Sequence, residues 1–377
     1  MREGVTYKRL TDVCGIQYGF AFDSKCFTSD DSYPPIIRIR DVVRGYSNTY
    51  YSGEINERYY VEKGDYLIGM DGEFNIATWQ SDKALLNQRV CKIYSIDANT
   101  SIRYIYYALR KVLKQIEDET PFVTVKHLSA SRLNKVSIAL PSLSTQELIV
   151  RELDSISSVI SAKKQQVLEL DNLAQAIFLD TFGDPITNPK GWGVKKIEEI
   201  ADTTSGGTPS KAHKEYYEGG TIPWLRSGEV SQGMIYETEL FITQEGLDNS
   251  NAKIVPIDTV AIAMYGATVG EVGIIKSPMC TNQAICNILP NEDTTPLYLM
   301  YVLMSMKPKY TTIAAGGAQP NISQAIIKNT AIPLPSLSLQ QAFAEKVQAI
   351  EEQKRLINQS IAEFESLLAQ RMEFHFA

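Results

Sequence analysis

The residues able to do covalent or metal chemistry are sparse in this chain of 377 residues. Its three histidines (His127, His213, His375) stand apart, none with a second ligand at a useful spacing, so a zinc or iron site is not expected. The five cysteines (Cys14, Cys26, Cys91, Cys280, Cys286) are odd in number and form no CxxC pair. Reduced thiols of a cytosolic protein are the simplest account. Gly266-Ala-Thr-Val-Gly-Glu-Val-Gly273 lacks the lysine and hydroxyl of a phosphate-binding loop and misses the dinucleotide spacing. Thr204-Ser-Gly-Gly-Thr-Pro-Ser210 and Ala314-Ala-Gly-Gly-Ala-Gln-Pro-Asn321 read as exposed loops. No Asn-Pro-Pro-Tyr-type tetrapeptide of a DNA amino-methyltransferase is present, and acid pairs such as Asp30-Asp31 or Glu351-Glu352 read as solvated surface. A non-catalytic chain is expected.

What remains is recognition chemistry. Arginine and lysine read guanine edges, asparagine and glutamine read adenine, and further cations hold phosphates. Polar loops rich in these types occur twice. The first set is Tyr18, Phe20, Phe22, Lys25, Arg38, Arg40, Asp71, Phe74, Trp79, Asn87, Gln88 and Arg89. The second is Thr208, Ser210, Lys211, Arg226, Ser227, Tyr265, Thr268, Gln283, Gln319 and Asn321. A plainer reading competes for several: Tyr18, Phe20 and Trp79 suit a core equally, and amides in turns often bond their own backbone.

The elements that must position these loops are also doubled. Leu140-Pro-Ser-Leu-Ser-Thr-Gln-Glu147 returns 194 residues later as Leu334-Pro-Ser-Leu-Ser-Leu-Gln-Gln341. Ser144 with Glu147, and Ser338 with Gln341, make capping-box patterns that predict helix starts. Behind the first, apolar residues step by four and three through Ile149, Leu153, Ile156, Ile160, Lys163, Val167, Leu170, Ala174 and Ile177. Behind the second run Phe343, Val347, Ile350, Lys354, Ile357, Ile361, Phe364 and Leu368. A period of 3.5 over about four heptads is a coiled-coil seam, and a lysine interrupting each seam suits a register device. Two amphipathic helices each lying on its own domain are the alternative. At about 1.5 Å per residue, a helix of about 36 residues extends roughly 54 Å.

The duplication reaches the globular parts. Tyr7–Val13 parallels Val194–Ile200, Pro35–Val42 parallels Ile222–Val230, Gly64–Gly72 parallels Ile257–Gly266, and Asn87-Gln88 parallels Asn282-Gln283. A duplicated unit is the reading, of α+β class, with short strands between turn residues and one or two helices each. The expected division is 1–142, a long helix at 143–182, 183–336, and a second long helix at 337–377. Phe182-Gly-Asp-Pro185 would stop the first helix, with Thr187–Gly193 as linker. Net charge is −7, but the first globular part carries 19 basic and 17 acidic side chains, while the helical runs 144–180 and 338–377 are net −3 and −2. The second globular part stays acidic at −4, so its few cations must share a face to meet a polyanion. No membrane span or signal-peptide pattern is seen, and a cytoplasmic location is expected.

The order of globular unit, long helix, globular unit, long helix resembles the specificity subunit of type I restriction-modification systems. Gly19-Phe-Ala-Phe-Asp-Ser24, Leu140–Gln146, Phe182-Gly-Asp-Pro-Ile-Thr-Asn-Pro-Lys-Gly-Trp192, Thr204–Ser210 and Leu334–Gln340 carry that likeness across nearly the whole chain. The resemblance implies two target recognition domains, each reading half of a split, asymmetric sequence in double-stranded DNA. It further implies long helices packed antiparallel as a spacer that docks two methyltransferase subunits, with restriction subunits joining for cleavage. S-adenosylmethionine, ATP and magnesium would then belong to those partners and none to this chain. Base-reading positions do not transfer with the family. A protein-binding adaptor and a stand-alone DNA-modifying enzyme are the competing classes.

Overall fold

A computed structural model describes residues 6–120, 126–315 and 321–376. The chain forms two compact units, Met1–Lys163 with Ser360–Ala377, and Lys164–Gln359. Each is α+β.

In the first unit, Thr6–Arg9 pairs antiparallel with Ser137–Leu140. An antiparallel sheet follows in the order Cys14–Tyr18, Val90–Ser95, Tyr66–Gly69, Ile76–Thr78. Its strands are apolar at consecutive positions because both faces are covered, and successive side chains point to opposite faces. Ile68 and Cys91 enter the core beneath the helix Ile102–Glu119, while Leu67 and Val90 enter a second core with Ile37, Val61 and Trp79. A smaller sheet sets Ala84–Leu86 parallel to Ile36–Ile37 and antiparallel to Tyr60–Val61.

The second unit repeats this plan. Val194–Lys196 pairs with Ala331–Pro333, and a sheet runs Thr203–Ser205, Ile285–Ile288, Val260–Ala263, Val272–Ile275, ending on Met234–Ile235. Ile262 and Cys286 again enter one core, and Ala261 and Ile285 the other. Met279–Thr281 lies parallel to Ile222–Leu225 and antiparallel to Ile254–Val255.

The long helices are Leu143–Phe182 and Leu337–Phe376, of 40 residues each. Their caps fall two residues before the expected serines. The Ser142 hydroxyl accepts from the Thr145 amide at 3.3 Å, and the Leu339 amide donates to the Ser336 carbonyl at 3.0 Å. Ser144 and Ser338 lie inside the first turn, so the capping boxes assigned to them do not form. Every seam residue named above is buried or half-buried, whereas Ser161 and Ala162, before Lys163, and Lys164, Gln165 and Gln166, after it, are exposed. In the first unit Leu368, Met372 and Phe376 pack on the core that contains Ile149 and Leu153. In the second, Phe178 and Phe182 meet Phe343 at ring separations of 5.7 and 5.3 Å. The cross-helix bonds run in opposite chain directions: Arg371 to Glu152 in the first unit, and Lys354 to Asp171 at 2.6 Å in the second. Gly183, at φ 79°, donates its amide to the Leu179 carbonyl at 2.9 Å and ends the first long helix.

A buried glutamine joins each long helix to its unit. The Gln146 side chain accepts from the Ser101 amide at 2.9 Å and donates to the Asn99 and Pro141 carbonyls at 3.1 and 2.9 Å. Gln340 repeats all three bonds, accepting from Thr295 at 2.9 Å and donating to Asp293 and Pro335 at 3.1 and 3.0 Å. Tyr104 and Tyr298, also equivalent, donate to the Ala139 and Pro333 carbonyls at 2.8 and 2.7 Å. Backbone groups that would otherwise be buried unpaired are satisfied by these side chains.

Candidate nucleic-acid interface

In each unit the strand preceding a central methionine, the turn after Asn-Gln and a third segment converge at one end of the main sheet. In the first unit the Met70 amide donates to the Arg89 carbonyl at 2.9 Å and the Leu128 amide to the Met70 carbonyl at 2.7 Å. In the second, Met264 donates to Ala284 at 2.8 Å and Ile322 to Met264 at 2.9 Å. Asp71 therefore bridges His127 as Tyr265 bridges Asn321. A shared backbone carries different residues: Asp71, Arg89 and His127 in one unit, Tyr265, the buried Ala284 and Asn321 in the other.

The first rim is charged. The His127 ring and Asp71 carboxylate lie 2.5 Å apart, and Arg89 Nε is 3.6 Å from Asp71. Arg89 holds φ 72°, a left-handed conformation uncommon outside glycine, which turns its side chain to the rim beside the sheet. Gln88 is exposed next to it, its amide bonded to the Phe20 carbonyl at 2.7 Å. Phe20 is itself 42 % exposed and packs on Tyr59 at 5.1 Å. Gly19 makes this crossing possible, because a Cβ there would lie 2.0 Å from the Asn87 carbonyl oxygen. Gly206 is in the same position, with the Asn282 oxygen at 2.2 Å.

Arginine also recurs behind a buried acid. Asp41 accepts the Arg38 amide at 2.9 Å, and Glu229 accepts the Arg226 amide at 3.1 Å, both acids capping a short helical turn. Arg38 and Arg40 are exposed, whereas the Arg226 guanidinium is engaged by Glu229 and Glu239. Lys25, Ser210, Lys211 and Gln283 are exposed, while Thr208 and Ser227 are half-buried. Thr268 donates to the Tyr265 carbonyl at 3.1 Å and so sits on the second rim. Gln319 lies outside the described residues.

Four nominated residues face inward instead. Phe22, Phe74 and Trp79 are at most 4 % exposed core residues, and the Trp79 indole donates to the Asp82 carbonyl. Asn87 is 8 % exposed and accepts the Gln88 amide, holding the turn. Tyr18 is half-buried on the sheet, donates to Asn134 at 2.8 Å, and burial pushes its hydroxyl up to about 12. His127 was not among the nominated residues. The offset of 194 residues that relates Leu140 to Leu334 carries it onto the nominated Asn321, and that was the available signal.

Burial raises the thiols of Cys14 and Cys280 to about 11 and of Cys286 to about 12, which disfavours their reactive thiolate form. Among the described residues no three of His, Cys, Asp and Glu come together as a metal site, and no helix is long and apolar enough to cross a membrane.

Residues 2–170 and 189–366 both match the family model described as the type I restriction modification DNA specificity domain. The chain is 28 % identical over 376 residues to the type I restriction enzyme EcoBI specificity subunit of Escherichia coli, covering 90 % of this chain and 78 % of that one. It is 34 % identical over 161 residues to the MjaIX specificity subunit of Methanocaldococcus jannaschii, covering 41 % and 37 %. Its fold is similar to the S subunit of a type I restriction-modification system from M. genitalium, with TM-score 0.56, 13 % identity, and coverage of 99 % and 96 %.

Proposed function

The chain belongs to the type I restriction-modification DNA specificity family, and from that premise we propose that it is the non-catalytic reader of a bipartite, asymmetric target in double-stranded DNA. One observation carries the split target. The two rims share their backbone hydrogen bonds but present Asp71, Arg89 and His127 in one and Tyr265, Ala284 and Asn321 in the other. Two like scaffolds with unlike polar side chains suit two half-sites of unlike sequence. Positions 1–142 and 183–336 are the two target recognition domains in this proposal, and the helices 143–182 and 337–377 are the spacer.

The spacer also offers outward apolar side chains that a globular core does not use. Leu148, Leu168, Leu173 and Leu356 are 49–61 % exposed on the long helices. They support docking of two methyltransferase subunits there, with restriction subunits joining the assembly. S-adenosylmethionine, ATP and magnesium are then held by those partners, in the cytoplasm where the DNA lies.

The test is to express the chain with its methylating partner in a methylation-free host and sequence the modified bases. A split motif with two unlike halves is the expected result. A continuous or palindromic motif would overturn the bipartite reading. Absence of any footprint from the purified complex would favour a protein-binding adaptor instead.

A further inference from the structure

We propose that Arg89 reads a guanine in the half-site addressed by the first unit, with Asp71 and His127 aiming its guanidinium. The proposal rests on the bipartite reading above and adds the residue and the base. Three observations lead to it. The Arg89 side chain is about half exposed, at 51 %, so it is open to a ligand. Two side chains from distant parts of the chain confine it. Asp71 lies 3.6 Å from Nε, and Nη1 is 3.3 and 3.2 Å from the two ring nitrogens of His127. Near-equal distances to both nitrogens place Nη1 over the imidazole rather than in line with one lone pair. The ring's own nitrogen is tied to Asp71 at 2.5 Å, so the carboxylate orients both partners.

A confined guanidinium fork fits a bidentate pair of phosphate oxygens as well as a base edge, but only the base edge carries sequence. A fork aimed from behind suits a planar, bidentate acceptor pair, and among base edges in the major groove guanine O6 and N7 provide it. Asp71 engages the Nε edge and His127 one face, leaving Nη2 and the outer edge for the base. The second unit makes the contrast within the same molecule. Ala284 occupies the backbone position of Arg89, bonded identically to the central methionine, and has no donor to offer. The Arg89 contact therefore has no counterpart at this position of the second unit.

The experiment uses the complex of the full chain with its methylating partner and duplexes carrying the native motif. Each guanine in turn is replaced by 7-deazaguanine, which deletes only the N7 acceptor. One position, in one half, should weaken binding by roughly 3- to 10-fold, as expected for one bond of a bidentate pair. Arg89→Gln should weaken native-target binding by roughly 5- to 150-fold, lose sensitivity to that substitution, and relax that position alone in the methylated motif. Asp71→Asn should relax the same position to a smaller degree. Native binding indifferent to 7-deazaguanine at every guanine of both halves would overturn the proposal, and this arm needs no variant to fold. So would Arg89→Gln with unchanged strictness at every position. A native motif that is not split would instead overturn the bipartite reading beneath it.

Discussion

Gln146 offers the sharpest test of how a long helix is held to its unit. Its side chain is fully buried and satisfies three backbone groups, the Ser101 amide and the Asn99 and Pro141 carbonyls. Gln146→Leu keeps the volume but leaves all three without a partner. A buried group stripped of its hydrogen bond costs about 1–3 kcal/mol, and partial entry of water keeps three of them below a simple sum. The expected loss is about 3–5 kcal/mol, a large share of the roughly 5–15 kcal/mol that stabilises an ordinary domain. The damage has a place as well as a size. Ser101 caps the helix Ile102–Glu119 through its hydroxyl, so that helix should fray from its first turn. Urea unfolding gives the magnitude, and hydrogen exchange read by mass spectrometry gives the location. Gln165→Leu on the same helix is the control, since Gln165 is exposed, and should stay within about 0.5 kcal/mol. A Gln146→Leu midpoint within about 1 kcal/mol of the native one, with unchanged exchange at the start of Ile102–Glu119, would refute the reasoning.

Three further outcomes follow from the same geometry. Gly19→Ala places a methyl 2.0 Å from the Asn87 carbonyl oxygen and should cost about 3 kcal/mol by thermal unfolding, whereas Gly228→Ala, with no atom within 4 Å, should be near neutral. Lys354→Leu removes the cation that Asp171 and Glu351 share at 2.6 and 2.8 Å, so the two carboxylates are left facing each other. A loss of about 1–2 kcal/mol is expected in place of the gain that an apolar seam alone suggests, and a raised urea midpoint would contradict it. The Arg371 guanidinium, and then His375, hold the Glu152 carboxyl below the usual carboxylate range. A lowered folded value means that this stabilisation is present above about pH 4.5 and fades as pH falls through the lowered value, reduced by the solvent exposure of the pair. Glu152→Gln should remove that acid-dependent fraying of the last helical turns, and identical exchange profiles for both proteins from pH 6 to pH 3 would contradict the assignment.

The long helices were legible because one seven-residue pattern, repeated over some 35 positions, outweighs local noise. Their starts at 143 and 337 were legible too. The capping serine was misassigned by two residues because Ser142 and Ser144 are chemically alike, and only geometry shows which hydroxyl reaches a free amide. Phe178 and Phe182 escaped the seam because they lie one and five residues beyond its last member, Ile177, and pack on Tyr298, Tyr301 and Phe343. The duplication was legible as aligned segments, down to Asn87 and Asn282. The interface was legible only in part. Phe22, Phe74 and Trp79 look like reading aromatics in a linear string, and their burial depends on sheet pairings far along the chain. His127 meets Asp71 from 56 residues away, a closeness that no local pattern encodes.

The twin glutamine joints have a consequence for inheritance. Gln146 and Gln340 grip the same three backbone positions, each two residues beyond a copy of Leu-Pro-Ser-Leu-Ser. A chain exchanged between the two copies at this point would meet the same three backbone partners. A hybrid gene joined there would keep every joint hydrogen bond while acquiring a different rim. On the proposed function, exchange of whole units at this joint changes the sequence that is read while leaving the joint intact.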